Sequence, residues 1–333
     1  MELVNNAVKD KLHRQGVLSM HDPVLAPGQV AGNYSAPWKR TFDLVFLIGW
    51  LLAAAALAIV TMFIEPEFFQ NSHFLGFSAL KLATMILMSL AGGLLCRHFC
   101  KVDAQGYIIT TESSWFKVNY TRKLQHFAAY LVPLINISDP GQAAPGLIPK
   151  IWESLFVLLV FLLLIKPIRE HGKLFMLMFN SLDRPEDRPH TLKWIILGNL
   201  LPGLILSLLF CQLFETMGFG EFALVIILII GIGDGLAEPV GIYLGKHKYR
   251  IPGWFSSRSY IRSIEGSACV FLTSIAIISL FHQYFHSLRE LIAALLVVPV
   301  TMTIVEATAP HSMDTPAMML LGFSTLFSVI LFV

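Results

Sequence analysis

Two carboxylates four residues apart, Asp234 and Glu238, stand inside an otherwise apolar run, GIGDGLAEPVG at residues 231–241. On a helix this spacing sets both acids on one face. Gly241 and Gly245 continue that face. An ionised carboxylate near the centre of a bilayer costs about 2.5–3.5 kcal/mol on insertion scales, so a pair at that depth points to function. The plainer alternative is a buried ion pair that stabilises a bundle. Pro239 lacks a backbone N–H and is expected to bend the helix. Gly231, Gly233 and Gly235 permit unwinding and close approach. A broken helix at membrane depth is tolerated where it lines an enclosed or water-filled site.

Cations and a helix start follow. Gly245 and Lys246 come directly after the apolar run, and Arg262 precedes the run Ser263-Ile264-Glu265-Gly266-Ser267. That run is predicted to open a helix, whose free N–H groups and partial positive charge suit phosphate. Gly266 would let a ligand approach the backbone. Lys248 and Arg250 read more simply as loop charge that orients the chain. Further on, TIVEATAPHSMDTP at 303–316 carries Glu306 and Asp314, in a loop free of Lys and Arg. Asp234, Glu238, Glu265, Glu306 and Asp314 are thus expected to gather toward one membrane face. Hard oxygen ligands beside cations suit a Mg²⁺-bound polyphosphate, because Mg²⁺ takes one or two carboxylates plus phosphate oxygens and water. The cations would offset charge on a transferred phosphoryl group. The P-loop pattern GxxxxGK[ST] is absent from the sequence.

The order GDGLAEPVG, GKHK, RSIEGS, VEATAP, MDTPAMML resembles the CTP-dependent lipid-alcohol kinases. That group includes dolichol kinase, phytol kinase and a CTP-dependent diacylglycerol kinase, and is related to phosphatidate cytidylyltransferases. The family's Gly-Asp-x-x-Ala-x-x-x-Gly stretch is matched at Gly233, Asp234, Ala237 and Gly241, and its Gly-Lys at Gly245 and Lys246. Its Lys-Ser-x-Glu-Gly-Ser is matched at Ser263, Glu265, Gly266 and Ser267, with Arg262 in the place of Lys. Its Glu and later Asp-Asn are matched at Glu306 and Asp314, with Thr315 in the place of Asn. Arg122, Lys123 and His126 resemble the family's Arg-Lys-x-x-His. The match covers about residues 121–320. It implies phosphoryl transfer from CTP to a lipid alcohol drawn from the bilayer. Asp234, with Glu265 or Asp314, would hold Mg²⁺. Lys246 and Arg262 would bind phosphates, and Glu238, Glu306 or His126 would orient or deprotonate the hydroxyl. A CDP-lipid-forming cytidylyltransferase is the enzyme alternative. A transporter is the alternative of another class, since broken helices with buried acids occur there too. No nucleic-acid partner is expected.

The elements that must position these residues are membrane helices. Of 333 residues, 55% are hydrophobic and 14% charged, against about 25% charged in a soluble domain. The apolar residues cluster in runs of about 18 or more, enough to cross a hydrocarbon core. An all-α polytopic transmembrane bundle is therefore expected, with nine spans at about 42–64, 74–96, 124–138, 151–168, 192–214, 222–244, 264–281, 288–308 and 316–333. Placing the N-terminus in the cytoplasm puts 21 of the 24 Lys and Arg on the inner side, as the positive-inside rule requires. The site would then face the cytoplasm from a bacterial inner membrane or a membrane of the endoplasmic-reticulum type. Three regions are expected: a polar tail (1–41), a two-span region with an inner loop (42–120), and a kinase-like membrane domain (121–333) carrying its motifs in 231–316. Pro133 weakens the third span. Residues 138–150 form a turn-rich outer connection. The inner loop 181–191, SLDRPEDRPHT, either pairs its charges in solvent or closes over a nucleotide. KLFMLMFN at 173–180 is expected along the membrane surface, and the 25 Phe as bilayer-facing bulk. Cys96 and Cys100 read as reduced thiols at a helix end, with no second pair to complete a zinc site.

Overall fold

A computed structural model describes residues 40–111, 116–131, 146–184, 187–254, 259–310 and 313–333. The polar tail, Pro133 with the end of the third predicted span, most of the outer connection, Glu186 and Arg258 lie outside the described residues. The described chain is mostly helical. Helix α1 (Arg40–Ile64) is an unbroken apolar run, and α2 (Ser72–Phe99) starts where Asn71 accepts the Phe74 N–H at 3.0 Å. A hairpin follows, β1 (Cys100–Val102) against β2 (Ile108–Thr111). Next come α3 (Val118–Leu131), α4 (Leu147–Leu162), α5 (Lys166–His171) and α6 (Lys173–Asn180). The long helices α7 (Thr191–Thr216) and α8 (Glu221–Tyr243) each contain a π-helical turn, at Trp194–Leu200 and Ile229–Asp234. A second hairpin, β3 (Lys248–Pro252) and β4 (Ser259–Ser263), leads into α9 (Ile264–Leu280). The chain closes with α10 (Leu288–Thr308) and α11 (Asp314–Phe332).

Six of these helices, α1, α2, α7, α8, α10 and α11, are long and apolar enough to cross a membrane, and α9 is a shorter apolar helix. The other two predicted spans also fall on helices, with shifted bounds. The third begins at Val118, so Arg122 and Lys123 belong to the helix itself. The fourth ends at Leu162, and Lys166 starts a separate helix after a turn. Each start has a local cause. Ser287 accepts the Glu290 N–H at 3.1 Å to open α10, and Pro316 sits in the first turn of α11, where a missing N–H costs nothing.

Four buried clusters form among the described residues, two of them large. Around α7 to α11, Phe214, Phe222, Ile226, Ile230, Val270, Val298, Met302 and Phe323 are fully buried or nearly so, and Phe210 stacks on Phe323 at 4.8 Å. Many phenylalanines are therefore core, not bilayer-facing bulk; Phe63 and Phe332 are among those left exposed. In the other core Met85, Tyr107, Val160, Phe179 and Ile196 meet, so residues on both sides of position 120 share one packed unit. Helix α6 belongs there. Met176 to Asn180 are buried, and Gly93 of α2 admits the Leu177 carbonyl so closely that a Cβ would overlap it. The KLFMLMFN segment thus packs on α2 through its second half, with Leu174 left exposed. The cysteines Cys96, Cys100, Cys211 and Cys269 are thiols, and Cys96 Sγ lies 3.0 Å from Thr121 Oγ1.

Candidate active site

The acids of α8 face α3. Helix α3 carries Asn119, Arg122, Lys123 and His126, a spacing of 3, 1 and 3 residues that sets them along one helical face. Lys123 Nζ donates to Asp234 Oδ2 and to the Asp234 backbone oxygen, both at 3.1 Å, and lies 3.9 Å from Glu238 Oε2. His126 Nε2 is 3.0 Å from the Ile230 oxygen and 3.5 Å from Asp234 Oδ2. A carbonyl can only accept, so Nε2 carries the proton in that contact. Asn119 Nδ2 donates to Glu238 Oε1 at 2.5 Å. The unwinding expected of the glycines takes a milder form. Helix α8 stays continuous and widens into a π turn ending on Asp234, and π turns gather at functional sites. Carbonyls of this turn are met by side chains of α3. The glycines admit neighbours: a Cβ on Gly231 would lie 2.8 Å from Tyr130 Cβ, on Gly233 3.3 Å from Val270 Cα, and on Gly235 2.7 Å from the Phe127 ring.

The described part of the loop 181–191 joins this network. Its charges Asp183, Arg184, Asp187 and Arg188 pair within the protein. Arg122 Nη1 meets Asp187 Oδ2 at 2.6 Å, Arg184 Nη2 meets the same oxygen at 2.8 Å, and Arg184 Nη1 lies 3.7 Å from Glu238 Oε1. Asp183 is fully buried; it pairs with Arg188 and accepts from Thr191 at 3.0 Å. Burial pushes the Asp187 carboxyl up, but Arg184 and Arg122 outweigh it and hold the group below its usual range. On the far side, Asp314 accepts from Asn199 Nδ2 at 3.2 Å and from the Thr315 N–H at 2.8 Å. It also lies within electrostatic reach of Lys123. Thr315, 1% exposed, bonds Tyr130.

A cavity of about 150 Å³ adjoins the network. Glu238, Gly241, Arg262, Ser263, Gly266, Ser267 and Glu306 line it, together with Lys117 and Lys248. All but the two lysines come from α8, β4, α9 and α10, the elements carrying the sequence motifs; Lys248 opens β3 and Lys117 directly precedes α3. Two parts of the motif reading are redistributed. Lys248, taken for orienting charge, lines the cavity because the β3–β4 register sets it opposite Ser263. Lys246 lies exposed just before the strand, and its backbone N–H donates to Glu265 at 3.1 Å.

The start of α9 is engaged by the protein itself. The Ile264 N–H donates to the His247 oxygen at 2.9 Å and the Gly266 N–H donates to Ser263 Oγ at 3.1 Å. Both are N–H groups of the kind a phosphate finds at a helix start. The close approach at Gly266 is made by the neighbouring helix: a Cβ would lie 2.8 Å from the Ala237 oxygen. Ser267 Oγ meets the Tyr249 hydroxyl at 2.6 Å.

Arg262 is committed to the end of α10. It bonds the Glu306 oxygen at 2.8 Å and the Ala307 oxygen at 3.2 Å, and lies 3.3 Å from the Glu306 carboxylate. A guanidinium fork serves these acceptors at once, which a lysine point charge does not. Glu265 accepts from His247 Nδ1 at 2.8 Å and pins the 245–247 turn to α9. Among the described residues no group of three or more His, Cys, Asp or Glu is placed to hold a metal ion. Asp234 and Asp314 both act electrostatically on Lys123; one or two carboxylates are what a Mg²⁺ carried in by a polyphosphate would ask of the protein. No family model matches the chain, and neither a curated protein nor a solved structure matches it.

Proposed function

We propose that the protein is an integral membrane phosphotransferase that moves the γ-phosphoryl group of a nucleoside triphosphate to the hydroxyl of a membrane lipid alcohol. The observation that carries this is the cavity beside Glu238, lined by Lys117, Lys248 and Arg262 and by three motif residues at the end of β4 and the start of α9, Ser263, Gly266 and Ser267. Ligand pockets usually span about 300–1,000 Å³. A 150 Å³ cavity suits the polyphosphate end of a nucleotide, with the nucleoside reaching outward. CTP as donor rests on the motif resemblance. Bound Mg²⁺, held by Asp234 and Asp314, would offset phosphate charge.

Lys117 and Lys248 attract the triphosphate, and the Arg262–Glu306 pair fixes the cavity floor. Glu238 is the favoured group to orient the acceptor hydroxyl and take its proton, because it lines the cavity and is held by Asn119 and Arg184. His126 is disfavoured, since its Nε2 is spent on the Ile230 carbonyl. In the transfer the lipid oxygen bonds to the γ-phosphorus, the bond to the β-phosphate oxygen breaks, and the nucleoside diphosphate leaves. The nine-span topology with a cytoplasmic N-terminus belongs to the same proposal, as do the bacterial inner or endoplasmic-reticulum-type membrane and a cytoplasm-facing cavity.

The test supplies purified protein with CTP labelled at the γ or α position and a panel of lipid alcohols and phosphorylated lipids. Label from γ in the lipid is expected. Label from α would replace the kinase by a cytidylyltransferase, and nucleotide-independent lipid or solute flux in liposomes would replace it by a transporter. Asp234→Asn is expected to abolish Mg²⁺-dependent transfer by about 100-fold or more, the scale of a lost electrostatic contact to the reacting group, with the protein still inserted in the membrane.

A further inference from the structure

One short segment of α8 divides two compartments of opposite character. Ala237, Glu238, Gly241 and Ile242 line the polar cavity. Their neighbours Pro239, Val240 and Tyr243, with Leu244 just beyond the helix and Tyr120 of α3, line a separate open groove of about 590 Å³ that carries no charged residue. The partition is the Asn119–Glu238 hydrogen bond at 2.5 Å, whose two residues directly precede the groove residues Tyr120 and Pro239. Tyr243 is 75% and Leu244 53% exposed, at the end of a helix long and apolar enough to cross a membrane. Tyrosines at such an end sit at head-group depth. An extended peptide docks through backbone hydrogen bonds, and a helical wall offers it few; a hydrocarbon asks for none.

We infer that this groove seats the head-proximal part of a lipid hydrocarbon chain, so that the lipid's polar end meets Glu238 at the partition. What then happens to that end rests on the phosphotransferase reading; the seating of the chain does not. From Pro239 to Leu244 the wall rises about 8 Å, at 1.5 Å per residue. Only the carbons nearest the hydroxyl are therefore read, and the rest of the chain lies in the bilayer. Selectivity follows branching beside the hydroxyl and is indifferent to total chain length.

Two long-chain primary alcohols, one with a photoreactive diazirine beside the hydroxyl and one with it at the chain terminus, are irradiated with the full-length protein in lipid nanodiscs. The head-proximal probe is expected to label Tyr120 or residues 239–244, and the terminal probe to leave them unlabelled. Val240→Trp, which fills the groove, is expected to remove that labelling and to raise KM for lipid alcohol about 10-fold or more, the scale of a blocked hydrophobic pocket, with nucleotide KM unchanged. Tyr243→Ala, which widens it, is expected to reduce discrimination between branched and linear alcohols, and serves should the tryptophan disturb folding. Head-proximal labelling elsewhere, or a selectivity that tracks total length, overturns the inference. Groove labelling without phosphoryl transfer upholds the lipid seat and removes the kinase. Transfer with unaltered lipid KM in both variants keeps the kinase and removes the seat.

Discussion

Lys123 shows how strongly the residue scale constrains this site. Its ammonium is buried between Asp234 and Glu238. Lys123→Met strands buried carboxylates and is expected to cost about 3–5 kcal/mol, the usual result of breaking a buried pair from one side. Combining it with Asp234→Asn is expected to cost less than the two separate losses together, because the double variant buries less unpaired charge. Thermal unfolding of the four proteins in detergent measures that coupling. Asp187 supplies a pH signature. Its folded carboxyl titrates below its unfolded value near 3.9, so its stabilisation is complete above that value and is lost as pH falls through the folded one. The melting-point gap between wild type and Asp187→Asn is expected to be widest near neutrality and to close below about pH 4. A gap that persists in acid would remove the electrostatic account. Asp234 and Glu238 were legible in the sequence because i, i+4 spacing fixes a shared helical face, and Arg122, Lys123 and His126 were singled out there only through the motif resemblance. Asn119, Arg184 and Asp187 were not, since each meets its partner across more than 60 residues or through a loop whose path no periodicity encodes.

At the scale of elements, the site depends on how closely α8 and α9 approach. Gly266 and Gly241 are what permits it, as a Cβ on Gly241 would lie 2.9 Å from Ser263 Oγ. Gly266→Ala presses on a backbone oxygen that cannot swing aside. It is expected to destabilise by about 1–3 kcal/mol, as overpacking does, and to weaken nucleotide binding by shifting the cavity wall; unchanged melting and binding would refute the tight approach. The Arg262 fork ties β4 to the end of α10. Arg262→Lys is expected to lose about 1.5–3 kcal/mol for each charged hydrogen bond it cannot re-form, measurable by denaturant unfolding. The glycines were visible in the sequence as a motif. Their partners, helix backbone and side chains instead of ligand, came only with the packed helices.

For the whole molecule, the two hairpins and the cavity are expected on one side of the membrane under the proposed topology. Single cysteines at Lys101 and Lys248, in β1 and β3, should react with a membrane-impermeant maleimide only from the cytoplasmic side, and one at Arg289 only from outside, in a background freed of native thiols. Lys101 and Lys248 reacting from opposite sides would break the proposed alternation of spans. The six long apolar helices are compatible with an integral membrane protein, and the cavity sits by the last turns of α8 and α10 and the first turn of α9.

The sequence alone determined the helical, membrane-type architecture and the segments that carry charge, because span length, apolar runs and helical spacing are local properties. Only the tertiary structure decided how those charges are shared: Lys248 instead of Lys246 on the cavity wall, Arg262 on the end of α10, Glu265 on His247, and the loop at 181–191 folded into the site. Strand register, helix approach and buried ion pairing join residues far apart in the chain, and no local pattern specifies which partner each will meet.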